Sequence, residues 1–335
     1  MQHSCCAPIV IRRACPCAWL AGMSTTPTRR PPGPGGDLFL TDGGLETVLV
    51  FHDGMDLPAF AAFPLLLQES GRRRLADYYR PYLSAALDVG AGFVLETPTW
   101  RANTDWGELL GYDADGLARI NRLAVELLME LRDEWPGSRP VAVSGRIGPR
   151  GDGYVASDTL AAAAYADYHA PQIETFVATP ADLVTAMTMT NVNEAVGIAD
   201  AAERAGIPAV LSFTVETDGR LPSGTPLGDA IRATDAATDS YPAYYMVNCA
   251  HPVHLAGAFV GEQDWTSRVG GFRGNASLLS HAELDEATEL DDGDPVDLAA
   301  RSRALRRELP DLFVIGGCCG TDHRHIEQLA RAFTG

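Results

Sequence analysis

Eight short apolar runs, each followed by a longer polar or helical stretch, constrain this chain more than any other feature. They lie at 38–41, 92–97, 141–145, 183–188, 209–214, 244–249, 268–272 and 312–316. Each is built from β-branched and other apolar residues and stops at a small or polar one, as a buried strand does. Between them, 117–131 and 296–309 carry apolar residues at three- and four-residue steps, the spacing of one helix face. Strands that are apolar throughout and alternate with helices pair in parallel and are covered on both faces. Eight such units over about 300 residues predict an α/β fold of the (β/α)8 TIM-barrel type in a single domain. A doubly wound sheet is the alternative, but no G-x-G-x-x-G follows an early strand to support it.

The barrel is expected over residues 37–335. Residues 1–36 read as a disordered leader: six prolines and Gly35-Gly36 interrupt any helical or strand period. Arg12-Arg13 before A-C-P-C-A-W-L-A-G has the outline of a secretion signal, but its apolar stretch is short and broken by Pro16. An overextended start, with Met23 as the initiator, is the plainer reading. No run approaches the roughly 20 apolar residues of a membrane span. The net charge of -18 argues against nucleic acid or an anionic membrane as partner, and all 26 basic residues are arginine, with no basic patch. Seven cysteines, four of them in the first seventeen residues, form no disulfide framework, so a reducing cytoplasm is the expected compartment.

In a barrel of this type, chemistry collects where strands end and the following loops begin. Three strand ends stand out: T-D-G-G at 41–44, N-C at 248–249, and G-G-C-C-G at 316–320. Cys249 closes the sixth run, and Cys318 and Cys319 close the eighth, so all three belong to one rim. Three thiolates converging there match a zinc site with an open fourth position. Gly316, Gly317 and Gly320 give the backbone room to turn both neighbouring cysteines toward one ion. Each cysteine alone also reads as a small buried hydrophobe, and Cys318-Cys319 as a vicinal disulfide or redox couple. His323 and His325 are alternative ligands, although Asp322 or Thr321 is placed to cap a helix that begins with them. His251 and His254 are weaker candidates.

L-T-D-G-G-L-E-T, V-N-C-A-H-P and I-G-G-C-C-G-T, in that order, resemble the homocysteine S-methyltransferase family. Its relatives include betaine–homocysteine and S-methylmethionine-dependent methyltransferases and the homocysteine module of cobalamin-dependent methionine synthase. The resemblance runs from about Asp37 to Phe333. It implies a zinc barrel in which Cys249, Cys318 and Cys319 hold Zn2+, homocysteine as thiol acceptor, and a methyl group taken from a cationic donor to give methionine. Zinc removes the obstacle that an ordinary thiol, with pKa near 8.5, is mostly protonated at neutral pH.

One position departs from the family pattern. The fourth strand of the family ends in a glutamate that binds the amino group of homocysteine, and Thr188 stands there. A hydroxyl does not pair an ammonium as a carboxylate does. Another thiol acceptor, or a non-catalytic zinc- and ligand-binding relative, is therefore the alternative. Two acids are candidates to compensate: Glu96, preferred, at the end of the second strand, and Glu216 after the fifth. Asp42 is placed to accept hydrogen bonds from a substrate amine, with Gly43 and Gly44 permitting close approach. Trp100 and Phe213 are candidates to face a cationic donor. G-R-L-P-S-G-T-P-L, 219–227, reads as a long loop over the barrel mouth, a lid.

Overall fold

A computed structural model describes residues 32–156, 160–261 and 263–335, leaving aside the side chain of Asp285. Residues 1–31, and with them most of the expected leader, its four cysteines and Met23, lie outside the described residues. The expected barrel is present. Strands β1 (Phe39–Leu40), β2 (Gly92–Glu96), β3 (Val141–Ile147), β4 (Leu183–Met189), β5 (Ala209–Phe213), β6 (Tyr244–Ala250), β7 (Val269–Gly274) and β8 (Val314–Gly317) pair in sequence order. All pairings are parallel, and β8 returns to β1 through Phe39 opposite Val314. Each strand ends within two residues of the run that predicted it.

The longer helices are α1 (Glu69–Val89), α2 (Ala114–Asp133), α3 (Ala162–Val177), α4 (Val192–Ala205), α5 (Leu227–Ala237), α6 (Pro295–Ala304) and α7 (His323–Thr334), the last following β8. Several start at the side chain that sequence logic demands. Asp113, Asn191, Asp294 and Asp322 accept hydrogen bonds from the first free amides of α2, α4, α6 and α7. Between β6 and β7 the connection is 3-10 in character, over Pro252–Ala258 and Thr266–Arg268. No helix among the described residues is long and apolar enough to cross a membrane.

Side chains alternate in direction along a strand, so every second residue enters the barrel. At the strands' amino ends these inward residues are apolar: Phe39, Val94, Ala142, Leu183, Val210, Tyr244, Met246 and Val314 pack as one cluster, joined by Phe313 just before β8. A larger apolar shell lies between the strands and the helices. One step up, hydroxyls replace hydrocarbon, with Ser144 Oγ 2.8 Å from Thr185 Oγ1. A further step reaches Glu96, Arg146 and Asn248. The interior is thus a sealed apolar floor below a polar layer, and the polar layer faces the carboxyl ends of the strands.

Candidate metal centre

The three cysteines meet at that end. Their sulfurs lie within 4.8 Å of one another, at the lip of a cavity of about 420 Å³. Cys249 and Cys318 lie close enough to pair with each other, with Cα atoms 5.4 Å apart, and Cys319 Sγ is 3.8 Å from that of Cys249. The vicinal alternative is not met: the close pair of sulfurs runs between strands, not between neighbours. Burial pushes the Cys319 thiol up in pKa, opposed by a hydrogen bond with Tyr154, whose Oη is 3.0 Å from Cys319 Sγ. Three soft donors on rigid strand ends, open on one side to a cavity, are the donor set of a thiophilic metal.

Local backbone distortion makes this convergence possible. The pairing of β6 with β7 shifts register between Asn248 and Ala250, and Cys249 adopts φ 54°. The shift sets Asn248 and Cys249, which strict alternation would send to opposite faces, along the same cavity. Strand β4 shifts register between Ala186 and Met189, where Thr188 sits at φ 64°. A β-branched residue is strained at that angle, and its hydrogen bonds hold it there. Thr188 N donates to Asn248 Oδ1 at 2.9 Å, and Asn248 Nδ2 returns a bond of 2.9 Å to Thr188 Oγ1. Ser212 Oγ also donates to Asn248 Oδ1 at 2.7 Å, leaving Asn248 Nδ2 3.8 Å from Cys318 Sγ. Thr188 therefore lines the cavity and also fixes the amide that faces a cysteine sulfur.

The Cys318-Cys319 loop is clamped from three sides. Cys318 N bonds Gly274 O, Cys319 O accepts from Ala276 N, and Thr321 Oγ1 donates to Cys318 O at 2.7 Å. Gly320 completes the turn at φ 78°. Gly44 faces the loop so closely that a Cβ there would stand 2.6 Å from Cys318 O. Gly44→Ala is therefore expected to push the loop away, destabilise the fold by about 1–3 kcal/mol and weaken metal retention, measurable by denaturation and by metal competition. An unchanged metal affinity would show that the loop's position is not critical.

Beneath the cavity lies a buried ionic quartet. Arg146 Nη2 reaches both Asp42 oxygens at 3.3 Å and Glu96 Oε2 at 3.1 Å. Arg273 Nη2 donates to Asp42 Oδ1 at 2.8 Å, its Nη1 donates to Glu96, and its Nε donates to Gly317 O at 2.9 Å. Tyr78 Oη donates to Asp42 Oδ2 at 3.1 Å, and Tyr79 Oη to Glu96 O at 2.7 Å. Burial works to lower the Arg146 pKa, but Asp42 and Glu96 outweigh it and hold the group well above its ordinary value. Burial likewise keeps Tyr78 and Tyr79 protonated, as donors. Both acids expected at the substrate are thus engaged by two guanidinium groups. Arg146 and Arg273, with Gly43, line the cavity; Asp42 and Glu96 do not.

Other sequence candidates are scattered. Glu216 Oε1 lies 3.1 Å from His281 Nδ1, and His281 Nε2 lies 2.7 Å from Cys249 O. The His281 ring stacks on Tyr154 with centroids 4.1 Å apart. His325 bonds Asp322 and the Asp292 carbonyl inside the α7 cap, away from the sulfurs. His251 caps the 3-10 turn, with burial and neighbouring His254 holding its pKa down to about 4, and His254 bonds Leu278 O. Phe213 is core, stacked on Tyr245, whereas Trp100 lines the cavity. The 219–227 loop is not the cavity's wall. It folds on itself through an Arg220–Pro226 bridge, and Asp152–Tyr154 after β3 and Leu284–Asp291 after β7 wall the mouth instead. Tyr154, Arg146 and Arg273 went unremarked in the sequence, and Asn248 was noted only as part of the N-C strand end. The two arginines carried a signal, since a charge at an inward position of a buried strand needs a buried partner.

The family model described as Homocysteine S-methyltransferase matches residues 39–333. Homocysteine S-methyltransferase 4 of Zea mays is 26% identical over 320 residues, spanning 89% of this chain and 90% of that protein. The homocysteine methyltransferase MmuM of Escherichia coli superposes with a TM-score of 0.68 in its oxidized form and 0.66 in its metallated form. Those structures are 21% and 22% identical to this chain and cover 89% of it and 96% of their own length. At such identity the likeness carries the fold.

Proposed function

We infer the reaction from one premise: this chain belongs to the homocysteine S-methyltransferase family, and is an enzyme of that family. The reading is a zinc-dependent S-methyltransferase that moves a methyl group from a small cationic donor, of S-methylmethionine, S-adenosylmethionine or betaine type, to the thiol of homocysteine, giving methionine. The observation that carries it is the convergence of Cys249, Cys318 and Cys319 at the lip of a closed-bottomed cavity. These three would hold the zinc. Zinc so held supplies Lewis acidity that keeps an acceptor thiol deprotonated at neutral pH.

The chain's own residues do the rest. Strand ends and the clamped 318–320 loop hold the sulfurs in one arrangement, so little reorganisation accompanies reaction. Asn248 and Tyr154 present polar hydrogens to the Cys318 and Cys319 sulfurs and moderate their charge. Trp100, Phe51 and Phe60 give the cavity an apolar, aromatic wall suited to a methyl onium group. In the transfer, the acceptor sulfur attacks the methyl carbon in line. The bond from carbon to donor sulfur or nitrogen breaks, and the donor departs as a neutral thioether or amine. Thr188 leaves the acceptor's amine without the family's usual carboxylate, so a different thiol is the second reading. A reducing cytoplasm is the compartment in which these thiols would stay available.

Because Cys249 and Cys318 can pair with each other, metal uptake should follow thiol state. Reduced protein is expected to bind about one zinc per chain and diamide-oxidised protein close to none. The reduced, zinc-loaded protein should then methylate homocysteine with at least one of the three donor types, followed by mass spectrometry. Stoichiometric zinc with no methylation of any thiol by any of these donors would leave a binding protein in place of an enzyme; no zinc would remove the mechanism.

A further inference from the structure

We propose that Glu46 and Arg101 form a clamp for the ammonium and carboxylate of an α-amino acid whose thiol sits at the cysteine cluster. The proposal rests on the reading above and deepens it, since it replaces the carboxylate that Thr188 lacks with one from another strand end.

Both residues line the cavity. Among the described residues, neither forms an ion pair, although nearly every other buried charge at this end of the barrel does. Arg101 is 8% exposed. Its Nη1 donates to Gly151 O at 3.1 Å, while its buried Nε has no partner. Its guanidinium lies 4.2 Å from the ring centroid of Trp100 and 3.7 Å from that of Trp106, a packing that fixes its plane. The backbone that carries it is pinned, since Thr97 Oγ1 accepts from Arg146 N at 2.8 Å and Thr99 Oγ1 donates to Arg146 O at 2.7 Å. The charges that reach Arg101 are Asp152 and Glu46. Asp152 is engaged by the Tyr154 and Val155 amides. Among the described residues, no carboxylate meets Arg101 fork to fork.

Glu46 lies in the short helical turn Leu45–Thr47 that follows Gly44. Thr47 Oγ1 is 3.5 Å from Gly320 N, so this turn abuts the cysteine loop. Glu46 also lies close enough to act on the Cys319 thiol electrostatically. Burial raises its own pKa despite the attraction of Arg146, as expected of a carboxylate without a cation bound directly to it. Arg146 and Arg273 are committed to Asp42 and Glu96, which leaves the Glu46 charge over. A ligand with its sulfur at the cysteines, an ammonium at Glu46 and a carboxylate at Arg101 completes both.

The test uses the reduced full chain loaded with Co2+, whose visible spectrum reports a thiol arriving at the metal. Homocysteine is compared with 4-mercaptobutanoate, which lacks the ammonium, and 3-mercaptopropylamine, which lacks the carboxylate. In the wild type each deletion should weaken binding about 10- to 100-fold, the worth of one charge-assisted contact. Glu46→Gln should erase the advantage over 4-mercaptobutanoate only, and Arg101→Gln the advantage over 3-mercaptopropylamine only. An unchanged cobalt spectrum before thiol addition certifies the fold of each variant, and Arg101→Lys should retain part of the carboxylate preference. If all three thiols bind alike, or the variants weaken them equally, the clamp is overturned while the metal–thiol reading stands. If Glu46→Gln alters affinity for the methyl donor alone, the assignment to the acceptor is overturned. If no thiol perturbs the cobalt, the underlying reading fails and the clamp with it.

Discussion

Cys318→Ser is expected to leave the barrel folded while zinc falls from about one per chain to near zero and kcat/KM drops about a thousandfold or more. A serine hydroxyl is a poor ligand at neutral pH, whereas a thiol yields its proton to the metal readily. Two variants separate this outcome from redox chemistry. Cys249 and Cys318 are the pair placed to join, which leaves Cys319 out. A redox couple would therefore survive Cys319→Ser, with thiol–disulfide cycling intact. A metal centre would not, because the third sulfur is gone in either variant. Loss of zinc and methyl transfer in both Cys318→Ser and Cys319→Ser, with disulfide formation lost only in the first, is the expected pattern. Full activity in Cys319→Ser would reduce that residue to packing and sink the three-thiolate site.

The strand ends were readable because a parallel barrel writes itself as uninterrupted apolar runs, and those runs cannot slip without burying charge. Cys249, Cys318 and Cys319 were readable for the same reason: two run ends in a barrel of known order share one rim. What stayed hidden depends on pairing in three dimensions. Nothing in the sequence says that Glu96 meets Arg146 from β3 and Arg273 from β7, since partners 50 and 177 residues apart leave no periodic trace. The left-handed turns at Thr188 and Cys249 are equally silent, because they occur at residue types that seldom adopt them. The lid assignment failed through composition. Pro and Gly in 219–227 mark a turn, but which loops overhang the mouth follows from their direction of exit, and those are the loops after β3 and β7.

Arg273→Gln is expected to cost about 3–5 kcal/mol of folding stability, because it strands part of the negative charge of Asp42 and Glu96 in a barrel interior where neither is exposed. Total stability of a domain is only about 5–15 kcal/mol, so the change should be plain in urea denaturation. The arginine does more than balance charge. Its Nε bonds the Gly317 carbonyl just before the cysteine loop, and its Nη2 bonds the carbonyls of Asp42 and Gly43, where the first strand ends. One side chain thus ties β7 to β8 and β1 beneath the cysteine cluster. The same reasoning makes Glu96→Gln a stability variant. It removes one negative charge from the quartet and should reduce stability with little selectivity between homocysteine and its analogue lacking the ammonium. The double variant Glu96→Gln/Arg273→Gln removes one charge of each sign and should recover part of the loss, giving a coupling of about 1–3 kcal/mol. If instead Glu96→Gln left stability intact and abolished only the preference for an amine-bearing thiol, Glu96 would be the amine-binding residue and the quartet a secondary feature. The quartet's geometry argues for the first outcome: two guanidinium groups already sit on Glu96 and balance its charge inside the barrel.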